Sequence, residues 1–306
     1  MRPTSPSSSQ LEYLVAAIDH GGWTDAADSL GVSTSAFTQG MAALEKRLGV
    51  LLFDKKGRQR VATADAHIAA DHARRVLNEL GSLERWANLT RGGETGAIRA
   101  GMIDTAAIHH FGDALVRFRT LHPDVALRLT VRPSAELLAE LRHGELDVVV
   151  AVTPEDTAGV VVRPVVVEPL NIYAPPNVLP GRPNTWGPWV GFPEDSRTRR
   201  VIRAALQRKG ARYEVVAESS QPTVLREMVR IGMGWTVLVP ADAEREPHAL
   251  RPALAAPLAE RVLVVAQPSD RSPTPALERF VAMLMSEATI DQNIHDRNID
   301  DGGNHH

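Results

Sequence analysis

The sequence predicts an N-terminal all-α head with a two-stranded wing, then a linker helix, then a larger two-lobed α/β domain. Three observations predict it. Apolar residues recur at helical spacing through the first helices and give way to a short basic hairpin. A proline-free segment from Asp65 to Thr90 repeats its apolar residues every three or four positions. Beyond "RGGETG", apolar runs alternate with helical patterns in the order β-α-β-α-β, which makes a parallel sheet with helices on its faces.

Leu11, Leu14, Val15 and Ile18 predict an amphipathic helix from Gln10 to about His20, which "HGGW" breaks. Thr24 is expected to cap "DAADSL", and Gly31 suits its end. Ser33 caps the next helix, whose Phe37, Met41, Leu44 and Leu48 form one buried face, and Gly49 ends it. Two short helices joined at "LGVS" form a helix-turn-helix, whose second helix enters the DNA major groove. Its leading residues are Ser33, Thr34, Ser35, Thr38 and Gln39; hydroxyls donate or accept at base edges, and Gln pairs with adenine. The other reading is a solvated face in a small bundle, since such shapes recur without DNA.

No charged residue stands between Ser33 and Ala43. The missing charge sits in "VLLFDKKGRQRVAT", read as a β-hairpin wing carrying Lys55, Lys56, Arg58 and Arg60. Phosphate contacts supply most of the affinity and base contacts the specificity, so the wing would hold while the neutral helix reads. Residues 1–65 balance seven basic against seven acidic side chains, so affinity is expected either to be modest or to depend on dimerisation.

The order and spacing of Thr24, Ala26, Ala27, Leu30, Val32, Ser33, Leu44, Glu45, Leu48, Gly49, Leu52 and Phe53 resemble the winged helix-turn-helix of LysR-type transcriptional regulators. There are departures. Thr34, Ser35, Gln39, Gly40 and Ala42 stand where the family usually carries Gln, Pro or basic residues, and "TADA" replaces Thr-x-Ala-Gly. Gly40 in mid-helix costs about 1 kcal/mol against Ala, and either lets the backbone approach DNA or is drift. The seam Ala69, Ala73, Val76, Leu80, Leu83 and Ala87 suits a helix that packs on a partner helix or on its own chain. The resemblance favours a linker that pairs two subunits, placing two recognition helices on two half-sites.

In the larger domain, "AIRAGMI", "VALRLTV", "LDVVVAV", "PLNIYAP", "WVGFPE", "YEVVAES", "WTVLVP" and "RVLVVAQ" read as strands or strand-like segments. Phe111, Leu115, Phe118 and Leu121 mark one of the intervening helices. The order of "HPDVALRLTV", "SAELLAELRHGELDVVV", "EPLNIYAPP" and "IGMGWTVLVP" resembles the periplasmic-binding-protein-like effector domain of the same regulators. That resemblance implies a small-molecule effector between the lobes. Its candidate contacts are Met102, Ile103, Asp104, Thr105, Ser134, Ser196, Arg197, Ser219, Ser220 and Thr223. Asp104, Ser134 and Thr223 serve equally as helix caps, and Arg197 as a solvated charge. The family often has Ser or Thr where Ile103 stands. Asp104 beside it repels a plain carboxylate unless Arg197 or an amine offsets it, so a less anionic or more apolar effector is expected.

The expected divisions are therefore residues 1–65 for the head, 66–91 for the linker and hinge, 92–289 for the effector domain and 290–306 for a disordered tail. "MRPTSPSSSQ" reads as a disordered lead without an export signal, which favours a cytoplasmic protein, and no apolar run is long enough to cross a bilayer. The absence of cysteine excludes disulfides, thiolate nucleophiles and thiolate metal sites. His109 and His110 are adjacent, His67 and His72 are five apart, and neither pair has metal-site spacing. No hydrolase elbow, phosphate loop or zinc-protease motif appears, so neither enzymatic activity nor a cofactor is expected. The partners expected are double-stranded DNA, a small-molecule effector and a second or further copies of the chain, as a homodimer or homotetramer. The rival reading is a protein-interaction module with a degenerate head; a solute-binding transport component would lack any need for the helix-turn-helix.

Overall fold

The computed structural model describes residues 5–20, 22–56, 59–92 and 96–287, so the tail expected at 290–306 lies outside the described residues. The chain divides near residue 94 into two compact units. The first begins with α1 (Ser8–Asp19), α2 (Trp23–Ser29) and α3 (Thr34–Leu48). The wing follows as β1 (Phe53–Lys56) paired antiparallel with β2 (Gln59–Ala62), and then the long α4 (Ala64–Gly92).

α1 starts earlier than periodicity alone predicts. The Ser7 hydroxyl accepts from the Gln10 N–H while the Gln10 side chain accepts from the Ser7 N–H. This capping box satisfies two backbone donors reciprocally, so part of the expected disordered lead is helix. Thr24 is not a cap: α2 begins at Trp23, and Gly22 supplies the extended backbone of the capping position. Ser33 does cap α3, accepting from the Ala36 N–H, and Gly49 closes it at φ 70°.

Leu14, Ala26, Ala27, Phe37, Met41, Leu44, Leu52, Ala66 and Ala70 form the core of this unit. Leu48, expected on the buried face, is the last residue of α3 and is 41% exposed. The Glu45 carboxylate accepts from the Leu52 and Phe53 N–H groups at 2.8 and 3.1 Å, tying the end of the helix-turn-helix to the wing. Thr63 receives the return strand: its hydroxyl donates to the Leu51 and Leu52 carbonyls and accepts from the Ala66 N–H. An Arg74–Asp19 ion pair joins α4 to α1.

The strands of the second unit are, in chain order, β3 (Gly96–Met102), β4 (Val125–Val131), β5 (Val148–Val152), β6 (Val160–Tyr173), β7 (Trp189–Gly191), β8 (Val215–Glu218), β9 (Thr236–Leu238) and β10 (Ala259–Pro268). Six of them form one sheet of order β4-β3-β5-β10-β6-β9. β7 and β8 make a separate parallel pair. β3 runs parallel to β4 and β5, as the β-α-β pattern predicts, but β10 is antiparallel to both β5 and β6. "PLNIYAP" is not a strand of its own; its first residues complete the long β6.

Two cores share this sheet. One gathers Ile98, Met102, Phe118, Leu137, Val149, Val166, Leu263 and Phe280, with α5 (Gly112–Leu121), α6 (Ser134–His143) and the helix at 275–287. The other gathers Leu170, Tyr173, Trp189, Ile202, Leu225, Trp235 and Leu258, with α7 (Arg197–Arg208), α8 (Pro222–Arg230) and the short α9 (Pro240–Ala243). β6 and β10 therefore cross from one lobe to the other. Leu121 is 64% exposed: α5 buries Ala114 and Phe118, and Phe111 lies just before it, after a π-helical turn at Ala106–His110.

Candidate functional site

On the head, the first turns of α3 face solvent. Ser33, Thr34, Ser35 and Gln39 are exposed, and Thr38 is half-buried with its hydroxyl on the Thr34 carbonyl at 2.7 Å. Ser33 uses its acceptor on the cap and Thr38 its proton on the backbone. Thr34, Ser35 and Gln39 present exposed polar side chains on the same turns. Gly40 is explained by packing. A Cβ there would lie 2.5 Å from the ring of Tyr13, which stacks on Phe37 at 5.1 Å. The glycine makes room for an aromatic stack.

Lys55 is exposed at the end of the wing. The guanidinium of Arg60 lies 4.3 Å from the centre of the Trp23 ring, so this arginine braces the wing against α2 as well as presenting charge. The side chain of Lys56 and all of Arg58 lie outside the described residues. Val76, Leu80 and Leu83 of the α4 seam are 48%, 43% and 59% exposed, whereas Ala73 is buried on the head's own core.

Between the lobes of the second unit, the sequence-predicted contacts separate into two groups. Met102 and Ile103 are buried in the first core, because they close the apolar β3. Ser134 accepts from the Val152 N–H at 3.1 Å, Ser196 caps α7, and Ser219 accepts from the Gln221 N–H at 3.1 Å. Ser220 and Thr223 are exposed. Arg197 is half-buried, donating to the Thr153 carbonyl at 3.1 Å and pairing with the exposed Glu155 rather than with Asp104.

Asp104 and Thr105 do belong to a cross-lobe cluster, most of whose members sequence reasoning missed. Thr105, in the first lobe, donates to Asp242 of α9 at 3.2 Å. His109 meets the other oxygen of Asp242 at 2.9 Å, and His110 meets Glu168 of β6 at 2.9 Å. Arg261 of β10 stands directly opposite Glu168 in the strand register. Its Nε donates to Glu168 at 2.6 Å, and its two terminal nitrogens donate to Thr198 of α7 at 3.0 Å and Thr105 at 3.1 Å. Arg261 and Glu168 are 5% and 3% exposed.

Burial alone would raise the Glu168 carboxyl, but the Arg261 guanidinium and His110 outweigh it and hold the group below the usual range. Asp104 goes the other way. Burial pushes its carboxyl up and Asp242 adds to the rise, against the Thr105 N–H and Arg261. The arginine that offsets Asp104 is thus Arg261. A signal was present in the sequence: a charged residue inside each of two valine-rich strands is buried, and a buried charge demands a partner. Among the described residues, no group of three His, Cys, Asp or Glu could hold a metal ion, and no helix is long and apolar enough to cross a membrane.

Comparison with known proteins identifies the two units. Residues 8–67 match the model of the bacterial regulatory helix-turn-helix protein, lysR family, and residues 91–289 match the LysR substrate binding domain. The HTH-type transcriptional regulator YfeR of Shigella flexneri is 26% identical over 288 residues, 89% of this chain and 91% of that one. A probable hydrogen peroxide-inducible genes activator of Streptomyces viridosporus is 30% identical over 174 residues, 57% of this chain and 56% of that one. The fold is that of full-length CbnR crystallised with its target DNA, with a TM-score of 0.65 at 21% identity over 92% of this chain and 99% of that one. With both of its units matched, the chain belongs to the LysR family and is a DNA-binding transcriptional regulator with an effector-binding domain.

Proposed function

We propose that this regulator binds an interrupted palindrome as a dimer or tetramer, in the cytoplasm, and has no enzymatic activity. Thr34, Ser35 and Gln39 read bases, the wing lysines and arginines hold phosphates, and a small molecule is sensed between the two lobes around Asp104 and Thr105. The observation that carries the reading is the exposed, uncharged leading face of α3 beside a basic wing. Such a head has base-edge chemistry but little affinity of its own, so it needs a second copy to bind firmly. The open apolar stripe Val76, Leu80 and Leu83 on α4 supports that pairing. The crystallised CbnR complex supports the DNA role by likeness of fold. A packed head core and a family match spanning 8–67 favour this reading over a degenerate head.

The test is selection of bound fragments from a random DNA pool by the purified protein, at low and high salt. The expected result is an enriched interrupted palindrome whose binding falls steeply with salt. Weak binding to any fragment, with no enrichment, would overturn the reading and favour a protein partner.

A further inference from the structure

The cross-lobe cluster is placed where the two cores meet. Along β6 the buried residues pass from the first core at Val166 to the second at Leu170, and Glu168 lies between. Along β10 Leu263 belongs to the first core, Leu258 just before the strand belongs to the second, and Arg261 lies between. The pair thus occupies the crossing point of the only two long strands that enter both cores among the described residues. From there Arg261 reaches outward in both directions, to Thr105 in the first lobe and Thr198 in the second. His109 adds a further cross-lobe contact, to Asp242, and His110 ties the first lobe to Glu168 at the crossing point.

A buried arginine with three directed hydrogen bonds does more than neutralise a carboxylate. An apolar pair would fill the same crossing point without the desolvation cost. What the polar group adds is geometry: a planar fork that fits one spacing of Thr105 and Thr198 and no other. We propose that Arg261 is an internal latch, holding the two lobes at a fixed spacing without any ligand, and that an effector acts by taking over its bonds to Thr105 and Thr198. The proposal rests on the reading of this unit as effector-responsive. A ligand shifts an equilibrium only by its differential affinity for the two states. In a latched unit, that difference includes replacing the bonds of Arg261.

The experiment compares the full chain with a Glu168→Leu/Arg261→Met double variant. Replacing both members avoids leaving one buried charge unpaired, so the variant is expected to fold. The natural chain has no cysteine. Thr120→Cys and Gln207→Cys, on exposed positions of the two lobes, therefore give a unique spin-label pair, diluted into unlabelled chain so that only intramolecular distances register. Pulsed dipolar spectroscopy without DNA or ligand should give one narrow distance in the wild type and a broadened or displaced one in the variant. Binding to the selected DNA, without effector, should change by several-fold. An unchanged distance distribution would overturn the latch. A changed distribution with unchanged DNA affinity would overturn its regulatory role. Should the double variant not fold, Thr198→Val removes the outward bond to the second lobe, keeps both the ion pair and the Thr105–Asp242 bond, and carries the same expectations. Failure of the wild type to select DNA would instead count against the proposed function, because the distances are measured without DNA.

Discussion

At the scale of single residues, Gly40 sets helix propensity against packing, and Asp104 and Glu168 set charge against burial. Gly40 loses about 1 kcal/mol of helix propensity against Ala. Its bare backbone lets Tyr13 lie where a Cβ would be and stack on Phe37. Gly40→Ala is therefore expected to destabilise the head by about 1–3 kcal/mol through overpacking. In a Tyr13→Ala background the same change should stabilise it, since only propensity remains. Urea denaturation of the four proteins in that cycle checks the change of sign. Asp104 and Glu168 form a second contrast. Asp104 is raised above its ordinary value of 3.8, so the folded state binds its proton more tightly. The stability tied to that proton is present at low pH and is lost as pH rises through the raised value. Asp104→Asn should thus raise the melting temperature at pH 7, with the gain vanishing as pH falls towards 3.8. Glu168 is lowered below 4.5; its contribution is present above 4.5 and is lost as pH falls through the lowered value. Glu168→Gln should cost about 3–5 kcal/mol at pH 7, because it strands the Arg261 charge, and less in acid. Calorimetry across pH separates these opposite trends.

At the scale of elements, the head was legible because each signal is local. The cap at Ser33, the four-three spacing of Phe37, Met41 and Leu44 on α3, the stop at Gly49 and the basic hairpin are all written within a few residues of where they act. The start of α1 was missed because a Ser/Gln capping box can hide in a serine-rich segment that reads as disorder. The cross-lobe cluster was missed for a different reason. Its members lie 63 and 156 residues apart in the Arg261–Thr198 and Arg261–Thr105 bonds, a proximity that no periodicity encodes. Division of labour between α3 and the wing can be tested directly. Gln39→Ala should alter base preference at one position of the half-site, by about 1–3 kcal/mol. Lys55→Ala should weaken all sites alike and lower the salt slope by about one. Arg60→Ala should also lower head stability, since that side chain braces Trp23. A switch of preference on Lys55→Ala, seen in parallel selections, would reverse the roles assigned to the two elements. On α4, Leu80→Glu with Leu83→Glu should dissociate the oligomer in sedimentation and weaken DNA binding, leaving the head's melting unchanged.

At the scale of the whole molecule, the chain resembles a protein whose name ties it to hydrogen peroxide, yet its own composition limits what it can sense. The likeness to the Streptomyces activator covers little more than half of each chain, so it carries no sensing chemistry across by itself. Sensing peroxide through a thiol requires a thiolate that passes to a sulfenic acid or disulfide. This chain has no cysteine, so that chemistry is closed to it. Its buried Met41 and Met102 are shielded by the cores of the two units, whereas Met233 is 43% exposed and is the methionine that peroxide would reach. The control proposed for the cluster between the lobes is instead reversible and non-covalent, because the cluster is built from charges and hydrogen bonds. Short exposure to millimolar peroxide, followed or not by a thiol reductant, is accordingly expected to leave both the affinity for the selected DNA and the sedimentation of the full chain unchanged. A peroxide-induced change that the reductant reverses would show a redox path that this sequence does not contain. A change that only methionine sulfoxide reductase reverses would place the sensor on a methionine, and with it the control of the lobes outside the Arg261 cluster.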